Sequence, residues 1–234
     1  VILAGTNGVD LPVVIEDDKT IEGDETVIIK LTAVTQPVSG IVFTVDPTTG
    51  NITLSDDDGG AESKVLTFVP ATASVKEGEK VGIKCKLPDG VSVATDIVIN
   101  LAVDGSSTVV ATDYKLDALK LTIPAGANES EVIYVNASTD GLVEGNELVV
   151  VSGSSTGYTF SGKSSITVTD IDATSANLTV SVTGVTNGGE PAEDGEFRIS
   201  LPDGVNTSRD LSVTYTVSGT ATADVDYTKL SGTA

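Results

Sequence analysis

The chain repeats itself, and that repeat restricts its fold more than any other feature of the sequence. Leu87-Pro88-Asp89-Gly90-Val91 returns as Leu201-Pro202-Asp203-Gly204-Val205, 114 positions later. Thr53-Leu54-Ser55-Asp56-Asp57-Asp58 returns at the same spacing as Thr167-Val168-Thr169-Asp170-Ile171-Asp172. Asp113-Tyr114 returns as Asp226-Tyr227, and Glu22-Gly23-Asp24-Glu25 as Glu144-Gly145-Asn146-Glu147. Residues 59–172 carry each marker once. Residues 1–58 carry only the late markers, and residues 173–234 only the early ones. The expected organisation is therefore the C-terminal half of one domain (1–58), a complete domain (59–172) and the N-terminal half of a third (173–234). The two outer halves also fit one another in order, as they would if residue 234 of one copy preceded residue 1 of the next.

Within the middle unit, strand-like runs fall at about 65–76, 81–87, 96–103, 114–123, 131–137, 147–152 and 164–169. Ile97, Ile99, Leu101 and Val103 share one face of the third run, and Asn100 and Ala102 the other, the period of two expected of a half-buried strand. Turn signals such as Pro88-Asp89-Gly90, Asp104-Gly105 and Pro124-Ala125-Gly126 separate the runs. No segment carries a helical period. Seven short strands at this spacing predict an all-β architecture of tandem immunoglobulin-like β-sandwiches.

Alternate connections of such a sandwich lie at opposite ends. The first-to-second, third-to-fourth and fifth-to-sixth connections should share one pole with the exit of the seventh strand. Those segments hold Glu77, Asp113, the group Asp140, Glu144 and Glu147, and the pair Asp170 and Asp172. The opposite pole has Asp89 and Glu129 but no comparable group. Residues 1–58 supply the corresponding acids Asp17, Asp18, Glu22, Glu25, Asp56, Asp57 and Asp58, and residues 173–234 supply Asp226 with either Glu193 or Asp194.

Convergent carboxylates repel one another unless something positive offsets them. The chain has 34 acids against 13 bases, a formal net charge of −21. That balance disfavours nucleic acid and anionic membrane surfaces, which require basic patches. It leaves two readings, a solvated acidic rim or bound cations. Among cations, Ca²⁺ suits oxygen ligands gathered from several loops in flexible geometry. Zinc would call for His or Cys; the chain has no His and one Cys. No contiguous EF-hand loop is present, so the site would be composite. The lone Cys85 alternates with Val81, Ile83 and Leu87 and reads as a small buried hydrophobe.

Taken together, Glu77-Gly78, Gly219-Thr220-Ala221 with Asp226-Tyr227, Asp17-Asp18 with Glu22 and Glu25, and Asp56-Asp57-Asp58 resemble the Calx-beta domain. The resemblance covers the whole chain. It implies a seven-stranded sandwich whose acids hold a cluster of calcium ions at the domain's C-terminal end. The family occurs in sodium/calcium exchangers, in integrin β4 and in large bacterial surface proteins, and repeats on adhesins, including gliding-motility adhesins of Bacteroidota, are similar. Against the family pattern the middle unit is the poorer one: Thr139 stands beside Asp140, and Ile171 interrupts the terminal acids. The junction after Asp58 is thus expected to be better loaded than the one after Asp172.

The functional expectation is a non-enzymatic, extracellular, calcium-binding stalk. Its partners would be neighbouring repeats, with the surface ligand bound by other regions and no membrane insertion. The alternative is a calcium-dependent module that binds a glycan or a protein. Against a glycan, the chain has only five Tyr and four Phe, and Tyr114, Tyr134 and Tyr158 read as packing residues. Paired carboxylates could hydrolyse glycosides, but small tandem sandwiches offer loops and no deep cleft.

Overall fold

The computed structural model describes residues 1–35 and 40–234. Every regular element among them is a strand. No helix there is long and apolar enough to cross a membrane. The first segment contributes β1 (Thr20–Ile21) and an antiparallel ribbon of β2 (Glu25–Lys30) with β3 (Thr49–Leu54).

Twelve strands follow between residues 65 and 169. They are β4 (Val65–Val69), β5 (Thr72–Lys76), β6 (Lys80–Lys86), β7 (Ser92–Val93), β8 (Ile97–Val103), β9 (Tyr114–Leu116) and β10 (Lys120–Ile123). They continue with β11 (Ile133–Ala137), β12 (Leu142–Val143), β13 (Glu147–Ser154), β14 (Thr159–Phe160) and β15 (Ser164–Thr169). One five-stranded sheet runs β10-β8-β13-β15-β5 and the other β14-β4-β6-β11-β9. The two form a β-sandwich.

Two of the seven predicted runs divide between the sheets. β4 pairs antiparallel with β6, whereas β5, three residues on, pairs parallel with β15 in the opposite sheet. The break falls at Pro70, which has no N–H to offer a ladder. Likewise β9 pairs with β11 and β10 with β8, so the run at 114–123 crosses over at Asp117–Leu119.

The core lies between the sheets and is almost wholly aliphatic. Leu66, Ile83, Ile99, Leu121, Ile123, Val149 and Ile166 are fully buried, each contributing about 1.5–3 kcal/mol of apolar burial. The alternation predicted for 97–103 is realised, with Ile97, Ile99 and Leu101 inward and Val98 outward. Cys85 is buried among them, and burial pushes its thiol up to about 12, so it acts as a hydrophobe.

Residues 173–234 add a second ribbon, β16 (Ser181–Thr186) with β17 (Glu196–Ser200), and the short β18 (Asn206–Thr207). The recurring Leu-Pro-Asp-Gly-Val segment makes the same turn twice. Val91 N donates to Pro88 O and Val205 N to Pro202 O, both at 3.1 Å, with Gly90 and Gly204 at φ of +83° and +81°. Only glycine takes that conformation without penalty.

Candidate metal centre

The strand order brings the acids of four separate connections to one pole of the sandwich. Carboxylate oxygens of Glu77, Asp170 and Asp172 lie within 4.8 Å of one another, and so do those of Asp113, Asp140 and Glu144. Asp17, Asp57 and Asp58 form a third group at the exit of β3. Among the described residues, Asp194 and Asp226 join no such group. Asp226 is exposed and accepts a hydrogen bond from Thr222 N at 2.7 Å, closing its own turn. Its counterpart Asp113 is buried and grouped with Asp140 and Glu144, and its charge raises both Glu144 and Glu147.

The acids do not play one role. Asp170 organises backbone. Its Oδ2 accepts from Glu144 N and Gly145 N, both at 2.9 Å, and its Oδ1 from Asp172 N at 2.6 Å and Ala173 N at 3.1 Å. Burial alone would raise this carboxyl, but the four N–H donors outweigh it and hold the group below its ordinary value. Gly145, at φ +91°, turns its N–H toward Asp170 in a conformation that disfavours other residues. Asp170 thereby ties the β12–β13 corner to the exit of β15.

Glu77 and Glu147 behave oppositely. Burial, then the charge of Asp170, pushes Glu77 up to about 7. Burial, then Glu144 and Asp113, pushes Glu147 up to about 7, with Arg209 opposing. Glu144 is raised by burial and by Asp113, Asp140 and Asp170. Glu77 Oε2 is buried with no hydrogen-bond partner. None of the three ion pairs among the described residues uses an acid of this pole. An orphaned carboxylate oxygen facing further carboxylates, all of hard oxygen character, fits a bound divalent cation such as calcium.

The same scaffold recurs at the exit of β3. Thr20 N donates to Asp18 Oδ1 at 2.7 Å as Leu142 N does to Asp140 Oδ1 at 2.8 Å. Glu22 N donates to Asp56 Oδ2 at 3.1 Å as Glu144 N does to Asp170 Oδ2. Asp58 N donates to Asp56 Oδ1 as Asp172 N does to Asp170 Oδ1. Glu22 and Asp58 are both raised, first by desolvation and then by neighbouring acids, Glu25 leading for Glu22 and Asp57 for Asp58. Among the described residues the exit after Asp172 gathers two groups of acids and the one after Asp58 gathers one. The physical reason is that Glu77 and Asp113 come from early strands, and residues 1–58 contain no counterparts of them.

Sequence reasoning missed what these corners touch. β1 pairs parallel with β7, Thr20 opposite Ser92 and Ile21 opposite Val93. β12 pairs parallel with β18, Leu142 opposite Asn206 and Val143 opposite Thr207. These are corresponding positions at both junctions. Ala94 N donates to Ile21 O at 2.9 Å and Ser208 N to Val143 O at 3.5 Å. Ile21 is 8% exposed and joins the core of the following sandwich. Each acidic corner is thus also a backbone contact to the segment that follows it in the chain. The sequence carried no signal for this pairing: Thr20-Ile21 and Leu142-Val143 share no residue, nor do Ser92-Val93 and Asn206-Thr207, and alternation shows no partner for two-residue strands.

No family model matches the sequence, and no curated protein matches it. Solved structures similar to it include CBD12 from CALX1.2, at 16% identity and TM-score 0.39, covering 46% of this chain and 45% of that one. The periplasmic chaperone SfaE is similar at 10% identity and TM-score 0.34, covering 47% and 58%. Domains 4 and 5 of the S-layer protein SbsC are similar at 15% and 0.29, covering 55% of each chain. The chain spans about half the length of these structures. At such TM-scores the sandwich rests on its own hydrogen-bond ladders.

Proposed function

We propose that this chain is a calcium-binding structural segment of a large secreted cell-surface adhesin, where tandem sandwiches form a stiff stalk for adhesion or surface motility. Under that reading residues 59–172 are one complete unit, and residues 1–58 and 173–234 belong to the units on either side. The observation that carries it is the double duty of the acidic corners: residues 18–22 and 140–144 line carboxylate groups on one side and hydrogen-bond the following unit on the other.

Glu77, Asp172, Asp113, Asp140 and Glu144 would hold calcium in the middle unit, and Asp17, Asp57 and Asp58 in the first. When bound, the ion supplies positive charge that removes the repulsion among these carboxylates. Asp170 and Asp56 fix the backbone that presents the other acids. Fixing the corner restricts the hinge, because the corner is part of the junction. The alternative, calcium-dependent glycan binding, draws less support. Tyr114 and Tyr158 pack against the core, and the ring of Tyr134 lies under Lys80 Nζ at 4.1 Å, so none is an open platform.

Two measurements test the reading. Titration calorimetry should show calcium binding, weakened about tenfold or more at one site by Glu77→Gln. Small-angle scattering should show a longer, narrower particle with calcium than with EDTA; identical profiles would remove the stiffening role.

A further inference from the structure

The first and last runs of the middle sandwich lie side by side and point the same way in both sheets. In one sheet β4 pairs parallel with β14, Val65 opposite Thr159 and Leu66 opposite Phe160. In the other β5 pairs parallel with β15, from Thr72 opposite Ser165 to Lys76 opposite Thr169. Further hydrogen bonds extend these ladders at their ends. Thr159 N donates to Lys64 O at 3.0 Å, and Ser165 N to Ala71 O at 2.8 Å. Glu77 N closes the far end on Thr169 O at 3.2 Å. Where the first run changes sheet, the hydroxyl of the fully buried Ser164 donates to Pro70 O at 2.8 Å.

The direction of the two runs decides what they do under tension. The first run begins at the entry pole, where Lys64 lines one cavity with Ala94, Gly157 and Tyr158. The last run ends at the exit pole, where Asp170 and Asp172 meet Glu77. A pull through the segments on either side therefore draws the first run backward out of the entry pole and the last run forward out of the exit pole. Parallel neighbours moved in this way slide lengthwise, and the evenly spaced bonds between them share the load. An antiparallel hairpin pulled by its two ends opens instead one pair at a time. Forced unfolding is set by the unfolding rate, so the bonds that must break first matter more than the overall stability.

We propose that these two runs form a load-bearing clasp, so that the sandwich resists tension along the chain by shear of both parallel ladders at once. Sliding would also strip Leu66, Val75 and Ile166 from the core, which adds exposure of apolar surface to the barrier. The clasp lies within the single unit 59–172 and needs no ion. It therefore goes beyond the restriction of a hinge by calcium.

Single-molecule force spectroscopy of the 234-residue chain in EDTA tests the clasp, the event being identified by the length of chain released between Val65 and Thr169. One arm holds the chain by its two ends. The other holds it through Glu79→Cys and Ala173→Cys, exposed positions at the exit pole that load the ladder one pair at a time from Thr169. Cys85 is buried and takes no handle. The force should be at least about twofold higher end to end than from the exit pole, and equal forces would overturn the proposal. The register gives the Ala73 N–H to Ser165 and leaves that of Thr72 at the open edge, since β5 is the outermost strand. Ala73→Pro should lower the end-to-end force to the exit-pole value, and Thr72→Pro should leave it unchanged. No loss in Ala73→Pro, or an equal loss in both, would also overturn it. Should circular dichroism show Ala73→Pro unfolded, the two pulling geometries still decide, because their ladder is intact. Because EDTA is present, failure here leaves the calcium reading standing, and a negative calcium titration leaves this one standing.

Discussion

The two poles of the middle sandwich solve the same problem in different ways. At the entry pole, acids are matched by bases: Lys84 Nζ reaches Glu129 at 2.6 Å and Lys86 Nζ reaches Asp89 at 2.6 Å. The hydrogen bond and charge of Lys86 hold Asp89 below the ordinary carboxylate range. At the exit pole, Glu77, Asp113, Asp140, Glu144, Glu147 and Asp172 crowd together, joined by no ion pair among the described residues, and Glu77 and Glu147 rise to about 7. One pole is electrostatically complete. The other is complete only with protons or with a cation. The difference teaches that the acids of the two poles are not equivalent: Glu129 and Asp89 are paired with lysines, whereas the exit acids crowd one another beside the pairing of residues 142–143 with 206–207.

The largest break in this contrast should come from Asp170→Ala. Four backbone N–H groups would lose their acceptor, and the unfolding free energy in EDTA should fall by about 2–3 kcal/mol in urea denaturation. Asn at the same position should recover part of the loss, since its carbonyl oxygen still accepts.

A smaller effect should follow pH. Glu77 and Glu147 titrate near 7 folded, against 4.5 ordinarily, so the native state binds more protons than the unfolded state between those values. Their contribution is full below about pH 4.5 and is lost as pH rises through about 7. Thermal melts in EDTA should therefore show stability falling from pH 5 to pH 8. With excess calcium the slope should flatten or reverse, because the ion requires the deprotonated carboxylates. A falling slope unaffected by calcium would sink the assignment of these acids to a cation site.

The smallest effect belongs to the entry pole. Lys84→Ala removes a half-exposed ion pair and should cost less than about 1 kcal/mol, with calcium affinity unchanged by calorimetry. A change in affinity comparable to that of Glu77→Gln would mean the two poles are coupled, and the contrast would need to be redrawn.

Much of this molecule was legible before any coordinates. The alternation at 97–103, the turn glycines and the repeated Leu-Pro-Asp-Gly-Val segment point to strands and to where they turn, because side-chain period and turn chemistry are local properties. The convergence of Glu77, Asp113, Asp140 and Asp170 on one pole was also legible, since strand parity alone assigns loops to ends. Less local features were not. Pro70 and Asp117–Leu119 divide two strands between sheets, and a hydrophobic run reads the same whichever sheet it joins. Asp170 as a backbone anchor and Glu77 as an orphaned acceptor are both acids in the sequence. Only the donors that surround each one distinguish them.

The repeat, the all-β architecture and the segregation of acids to the exits follow from the order of residues, because each depends on spacing that the chain carries with it. The parallel bridges at 20–21 and 142–143, the division of two strand runs between the sheets and the separate roles of Asp170 and Glu77 were decided in three dimensions. Each depends on contacts between residues tens of positions apart, and burial is a property of the neighbour as much as of the residue.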